Sequence, residues 1–153
     1  ARGDLPCEGR LASDCQPLHR LSAAAIAAGG VRILRDPTRG GVATTLNEFV
    51  EGGPLGIELE EAAIPVDPPV AAACDLLGLD PLYAACEGRM LVIAAPDRAE
   101  EILTALRRTP GGEGAARIGR VSASRPGQVV LHNAFGGSRL LTKLTGAQLP
   151  RIC

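Results

Sequence analysis

The sequence has very few aromatic residues: two Phe, one Tyr and no Trp among 153 residues. Its core must therefore consist of Ala, Val, Ile and Leu, and a hydrophobic content of 46% is enough to fill one domain. The chain lacks a run of about 20 apolar residues, which a membrane-spanning helix requires. It also lacks a basic stripe, and its formal net charge is −1. The composition therefore argues against binding to nucleic acid or membrane.

The spacing of the cysteines argues against two common structural uses. Their number is odd, and no two of them are separated by only two residues. A disulfide framework and a structural zinc site are therefore not expected, and we predict no metal ligands. Reduced thiols in a cytoplasmic protein are the interpretation that this pattern favours. The five are Cys7, Cys15, Cys74, Cys86 and Cys153.

We divide the chain into three parts. Residues 1–14 are polar and irregular, residues 15–145 form one α/β domain, and residues 146–153 form a mobile tail that carries the terminal cysteine. The chain begins at Ala1, without a methionine or an apolar signal segment, which suggests a fragment or a processed protein. In that case the missing N-terminal part could carry a targeting signal, so the absence of one here decides nothing.

Helical and extended patterns alternate along the chain and predict a mixed α/β fold. The most regular helical pattern covers residues 97–108. Two apolar runs, 82–88 and 89–95, flank a Glu-Gly corner, and segments 116–122 and 128–133 are predicted to pair as a hairpin. We expect a central mixed sheet of about four to six strands with helices packed against it. The other predicted elements are helices at 17–28, 42–50 and 67–79, strands at 31–34 and 56–61, and a helix or loop at 136–146.

A glycine-containing turn joins a predicted strand to a predicted helix in "RDPTRGGVATTLNE", residues 35–48. Such a turn exposes backbone N–H groups at a helix start, where an anion is favoured, and an arginine there adds a phosphate contact. The alternative is structural: a side chain caps the helix and the glycines permit close packing. Neither common glycine motif for phosphate binding is matched, so both interpretations stay open. The residues concerned are Asp36, Thr38, Arg39, Gly40 and Gly41.

Glu87 lies between the two apolar runs, in "ACEGRM". At a strand end, in a low-dielectric environment, its carboxylate could act as a general base or acid near neutral pH. The alternative is a solvated hairpin corner. His19 and His132 have no partner at a metal-ligand spacing, so we interpret each as a surface or hydrogen-bonded residue.

Six segments resemble, in order, the C-terminal half of the HypE family of hydrogenase maturation proteins. The likeness runs from about Ser13 to Cys153, and the terminal "PRIC" is its most specific element. Aminoimidazole ribonucleotide synthetase and selenophosphate synthetase belong to the same superfamily and resemble the family in fold, but they lack this cysteine tail. The segments are "SDCQPL" (13–18), "RDPTRGG" (35–41), "GIELEEAAIPV" (56–66), "LGLDPLYAACEG" (77–88), "AFGG" (134–137) and "QLPRIC" (148–153).

The resemblance implies an ATP-dependent dehydration. A carbamoyltransferase partner places a carbamoyl group on the terminal cysteine, and ATP activates the carboxamide oxygen by phosphorylation. Loss of phosphate and of an N–H proton leaves a thiocyanate on the protein. The cyano group then passes to iron on a scaffold complex and becomes a ligand of the nickel–iron hydrogenase centre.

Carried over to this sequence, the resemblance makes Cys153 the carrier nucleophile and Glu87 the proton acceptor. Residues 36–41 match the turn beside the family's nucleotide pocket. Glu87 matches the Glu of an Asn-Glu-Gly motif, but Cys86 stands where the family usually has Asn, so a thiol replaces an amide contact. Chance placement of a tail cysteine is the alternative for Cys153, as is a redox role with Cys86 as its partner.

The resemblance also implies that most of the ATP and Mg²⁺ site belongs to an N-terminal half that this chain lacks. We therefore expect the chain alone to be inactive and to bind no cofactor tightly. The implied partners are a carbamoyltransferase, an iron-carrying scaffold complex and a second copy in a homodimer. Two alternatives stay open: a non-catalytic oligomerisation or scaffold-docking domain, and another ATP-dependent synthetase of the superfamily.

Overall fold

Helices and strands alternate along the chain as far as helix 99–107, as the sequence predicts, and three strands follow. A computed structural model describes residues 13–146. Residues 1–12 and 147–153, which include Cys7 and Cys153, lie outside the described residues, so the predicted N-terminal segment and tail stay predictions. All four predicted helices are confirmed, each end within two residues of its expected position. The elements are α1 (His19–Ala28), β1 (Val31–Arg35), α2 (Gly41–Val50), β2 (Gly56–Glu60), α3 (Pro68–Leu77), β3 (Leu91–Ala94), α4 (Ala99–Arg107), β4 (Gly119–Ser122), β5 (Val129–His132) and β6 (Ser138–Leu141).

The described strands form two sheets. The larger sheet has the strand order β4-β2-β5-β6. The two central strands, β2 and β5, are parallel. The edge strand β4 is antiparallel to β2, and the edge strand β6 is antiparallel to β5. β1 and β3 form a separate antiparallel ladder. A parallel pair needs a long crossover, which here includes α3 and α4. The mixed α/β fold is therefore confirmed, with four strands in the main sheet. No helix within residues 13–146 is long and apolar enough to cross a membrane.

The predicted hairpin between segments 116–122 and 128–133 is wrong. Both segments contain strands, but β4 and β5 lie on opposite sides of β2, where Ile57 pairs with Val121 on one side and Val129 on the other. The intervening loop passes over the start of β2 and bonds to it there, because Gly127 N–H donates to the carbonyl of Leu55 (2.8 Å). β2 therefore lies between β4 and β5, so these two strands do not pair with each other.

The segment 136–146 contains strand β6, whereas a short helix or a loop was expected. β6 pairs with β5 through a turn that the Asn133 side chain holds. Its Oδ1 accepts hydrogen bonds from the backbone N–H groups of Phe135 (3.0 Å) and Gly137 (2.8 Å). Three of the four β6 residues are exposed, and only the last, Leu141, is buried. The segment therefore lacks the alternation of apolar and polar residues that would indicate a strand.

The hydrophobic core lies between α2 and one face of the main sheet. Apolar residues spaced three and four apart on α2 meet alternate residues of β2 and β5. Asn47 of α2 donates a hydrogen bond from Nδ2 to the carbonyl of Leu141, which ties the helix to the edge strand β6 (2.9 Å). The core is aliphatic, as the composition predicts. Its buried members include Ala43, Leu46, Val50, Ile57, Leu59, Val129, Leu131 and Leu141.

Two leucines on adjacent strands test the position of this core. Leu131 is 1% exposed, so Leu131→Ala should lower the free energy of unfolding by about 2–5 kcal/mol. Leu140 is 54% exposed, so the matched change Leu140→Ala should cost about 0.5 kcal/mol or less. Chemical denaturation of both variants measures the difference, and equal losses would contradict the assignment of the core to this face of the sheet.

Candidate functional site

Glu87 lies in a turn between a 3₁₀ turn, Pro81–Tyr83, and strand β3. The first of the two apolar runs begins with this 3₁₀ turn, and Asp80 caps it by accepting a hydrogen bond from Leu82 N–H (2.9 Å). The side chain of Glu87 is exposed. The Glu87 carboxylate therefore lies at a solvated turn. It does not lie at a strand end in an apolar environment, which was the other interpretation of this residue.

The glycine-containing turn before α2 contacts the segment that leads to Glu87. Cys86 N–H donates a hydrogen bond to the carbonyl of Pro37 (3.0 Å). A Cβ atom at Gly41 would lie 2.5 Å from the carbonyl oxygen of Ala84 and 2.6 Å from that of Leu82, so only glycine permits this approach. The close packing expected for the glycine pair is thus confirmed at Gly41.

The first turn of α2 begins without a side-chain cap. Its N-cap residue is Gly40, which has a φ of 76°. Gly41 N–H donates to the carbonyl of Thr38 (3.0 Å), so the turn is held by backbone bonds. The alternative in which Asp36 or Thr38 caps the helix is therefore wrong. Asp36 and Arg39 are exposed, and the anion-binding interpretation of this turn stays a prediction.

A third segment, residues 14–16, packs against the other side of the Glu87 turn. Gly88 N–H donates to Oδ2 of Asp14 (3.3 Å), and Nε2 of Gln16 donates to the carbonyl of Gly88 (2.9 Å). The thiol of Cys15 donates to Oε2 of Glu87 (3.8 Å). A Cβ atom at Gly88 would overlap the carbonyl oxygen of Asp14.

Reasoning from chain patterns missed the three residues of this segment as part of the site. They have no periodicity and form no helix or strand, so nothing in their local pattern indicates a function. The only signal was their place in "SDCQPL", one of the segments that carry the family resemblance.

Cys86 is half-buried beside these contacts, and its thiol donates to the carbonyl of Ala84 (3.4 Å). Burial raises the pKa of the Cys86 thiol, the nearby Asp14 carboxylate raises it further, and Arg89 partly opposes them. A thiol with a raised pKa is mostly protonated at neutral pH and is a poor nucleophile. This disfavours the hypothesis of Cys86 as a redox partner.

The two histidines fit the structural interpretation. His19 is exposed in the first turn of α1. His132 ends β5, with Nε2 4.0 Å from Oε2 of Glu58. Hydrogen bonds from Ser124 and Arg120 lower the pKa of Glu58 to about 2, so this carboxylate is ionised at neutral pH.

The described residues meet only part of the needs of the implied ligands, ATP and Mg²⁺. Within residues 13–146, no group of three His, Cys, Asp or Glu side chains is placed to hold a metal ion. The start of α2 fits a phosphate better. The Gly41 N–H is bonded to Thr38, but a first helical turn has further backbone N–H groups without an intrahelical partner, and the exposed Arg39 directly precedes Gly40. This part of the chain therefore fits one wall of a nucleotide site and does not fit a magnesium site.

The chain belongs to the family of AIR synthase related proteins, since residues 3–132 match the model of their C-terminal domain. Within curated proteins, it is similar to carbamoyl dehydratase HypE of Azotobacter vinelandii, with 50% identity over 99% of this chain and 45% of the relative. It is 49% identical to HypE of Bradyrhizobium diazoefficiens, over 99% of this chain and 44% of the relative. The expected resemblance is confirmed, and the chain spans less than half the length of these relatives.

Solved structures show the same likeness. HypE in complex with ATP has a TM-score of 0.88 and 46% identity, covering 97% of this chain and 46% of that one. A chain in the structure of a HypE–HypF complex has a TM-score of 0.86 and 34% identity, covering 94% of this chain and 47% of that one. PurL of T. maritima, complexed with ATP, is 20% identical with a TM-score of 0.56, covering 82% of this chain and 20% of that one. At this identity, the match supports a likeness of fold alone.

Two glycines without a positive φ test the contact between residues 14–16 and the Glu87 turn. Gly88→Ala forces a Cβ into the carbonyl of Asp14, so it should lower the free energy of unfolding by about 1–3 kcal/mol. Gly114→Ala is the matched control, because nothing lies within 4 Å of its Cβ position. Chemical denaturation compares the two, and a Gly88→Ala protein as stable as the control would refute the contact.

Proposed function

We propose that this chain is part of an ATP-dependent carbamoyl dehydratase. The complete protein converts a carbamoyl group on Cys153 into a thiocyanate, which supplies a cyanide ligand for the iron of nickel–iron hydrogenase. The observation that carries this proposal is the convergence of residues 14–16 and 35–41 on the turn that presents Glu87. The 50% identity to a HypE protein supports the assignment of the chemistry.

Glu87 is the proposed base. Its carboxylate is exposed, so a carboxamide delivered from outside this domain can approach it. ATP supplies the phosphoryl group that makes the carboxamide oxygen a leaving group. The carboxamide loses both N–H protons. The first leaves as the oxygen is phosphorylated, and Glu87 accepts the second as that oxygen departs as phosphate, so that the carbon–nitrogen bond becomes that of a nitrile.

The turn before α2 is the proposed phosphate wall of the site. The first turn of α2 supplies backbone N–H donors, and the exposed Arg39 adds a positive charge. Cys86 links this wall to Glu87, since its N–H bonds to the carbonyl of Pro37. Because no metal-ligand set lies within residues 13–146, we assign most of the ATP and Mg²⁺ site to the half that this chain lacks, and we expect the chain alone to be inactive.

Cys153 is the proposed carrier, on a tail of residues 146–153 that extends from the 15–145 domain. The base of the tail is attached to α2: Leu144 N–H donates to Oγ1 of Thr44 (3.1 Å), in the first turn of the helix. From Gly146, eight residues span about 26–29 Å when extended, at about 3.3–3.6 Å each. This reach lets one thiol visit a carbamoyl donor, its own nucleotide site and an iron scaffold.

The proposed partners follow from this cycle. A carbamoyltransferase must load the thiol, and a HypE–HypF complex is known among the similar structures. An iron-carrying scaffold must accept the cyano group. We also propose a homodimer for the complete protein and a cytoplasmic location, where thiols stay reduced.

The base assignment is tested by Glu87→Gln in the complete protein. The change removes the proton acceptor and keeps the shape of the side chain, so dehydration should slow by about 10²–10⁴-fold. ATP affinity should stay nearly the same, because the proposed phosphate contacts come from Arg39 and the first turn of α2. Glu61→Gln, at another exposed glutamate, is the matched control. Single-turnover formation of thiocyanate is the measurement, and normal turnover by Glu87→Gln would remove Glu87 from the mechanism.

The carrier assignment is tested by the intact mass of the protein after incubation with the carbamoyl-donating partner. Wild type should gain one carbamoyl group, and Cys153→Ala should gain none. Cys7→Ala controls for loss of another thiol. A few residues added after Cys153 should also impair turnover, because they block entry of the thiol into its site. If Cys153→Ala gains the same adduct, or a chain without "PRIC" stays active, the alternatives of a docking domain or another synthetase replace this proposal.

A further inference from the structure

Residues 14–16 form specific hydrogen bonds to the Glu87 turn. Both backbone groups of Gly88 are bonded to this segment: its N–H to the Asp14 carboxylate and its carbonyl to the Gln16 amide. The two peptide groups that flank the Gly88 Cα are thus each fixed by a hydrogen bond. Cys15, between these two residues, reaches the Glu87 carboxylate itself.

We propose that Cys15 is a positioning residue for Glu87. The inference rests on the proposed role of Glu87 as the base. The Cys15 thiol donates to Oε2 (3.8 Å), which orients the carboxylate and leaves Oε1 for the incoming N–H proton. This gives a function to a cysteine that the carrier and nucleotide assignments do not use.

A comparison within the molecule shows why a thiol suits this position. Glu58 is also held by donors, but these are strong: Arg120 at 2.5 and 3.0 Å, Ser122 at 3.3 Å and the hydroxyl of Ser124. They lower the pKa of Glu58 to about 2, and a carboxylate held so tightly is a poor proton acceptor. A thiol is a weak donor, so it can fix the direction of a carboxylate without competing strongly for its charge.

The contact is tested by infrared spectroscopy of the S–H stretch in the complete protein. The Cys15 band is assigned as the one that disappears in Cys15→Ser. It should lie at lower frequency in wild type than in Glu87→Ala, because a hydrogen-bonded S–H bond is weakened and the variant has no acceptor. A Cys15 band at the same frequency in both proteins would overturn the proposal.

The positioning role is tested by kinetics. Cys15→Ala should lower kcat for dehydration by about two- to tenfold, the worth of one ordinary hydrogen bond, with KM for ATP unchanged. Cys15→Ser keeps a donor, so it should recover part of the kcat that Cys15→Ala loses, but its stronger hydroxyl donor should keep kcat below that of wild type. Since Cys15 is exposed, neither change should alter the melting temperature appreciably. Full turnover by Cys15→Ala, or equal losses in the Ala and Ser variants, would overturn the role.

The two proposals can fail separately. If Glu87→Gln keeps full activity, Glu87 is not the base, and the S–H band still reports whether Cys15 bonds to it. If Glu87→Gln is inactive while Cys15→Ala is fully active, the base assignment stands and only the positioning role is lost.

Discussion

The candidate site is held together by two places where backbone approaches backbone more closely than any side chain would allow. Gly41 lies against the carbonyls of Leu82 and Ala84, and Gly88 lies against the carbonyl of Asp14. Each contact requires a hydrogen in place of Cβ, so the three segments of the site meet only because glycine occupies both positions. The chemistry then depends on neighbours of these glycines, with Glu87 directly before Gly88.

Helix α2 connects this site to the rest of the fold. Its buried face, which includes Leu46 and Val50, packs on the main sheet, and its first turn touches the segment that leads to Glu87. Thr44 in that first turn also binds the base of the tail through Leu144 N–H. One helix thus contacts the sheet, the proposed phosphate wall and Leu144, which precedes the proposed carrier arm.

The sequence predicts most of the fold and about half of the site. The helices were found because their apolar spacing is regular, as in 97–108, and the aliphatic core follows from the shortage of aromatic residues. Strand pairing was wrong at β4 and β5, because local pattern does not reveal that β2 lies between them. The close approach at Gly41 was anticipated from the glycine pair. The contacts of Asp14, Cys15 and Gln16 were not, because they join residues more than 70 positions apart and leave no local pattern.

The parallel pairing of β2 with β5 has a consequence for the order in which the protein folds. β2 ends at Glu60, and its central partner begins only at Val129. During synthesis, all three segments of the candidate site leave the ribosome before β5 exists, and α2 has no complete sheet on which to bury its apolar face. We therefore expect late, slow closure of the sheet, since contacts between distant residues form slowly. Until β5 joins β2, the emerging chain exposes an apolar helix face, which makes it a candidate for capture by chaperones.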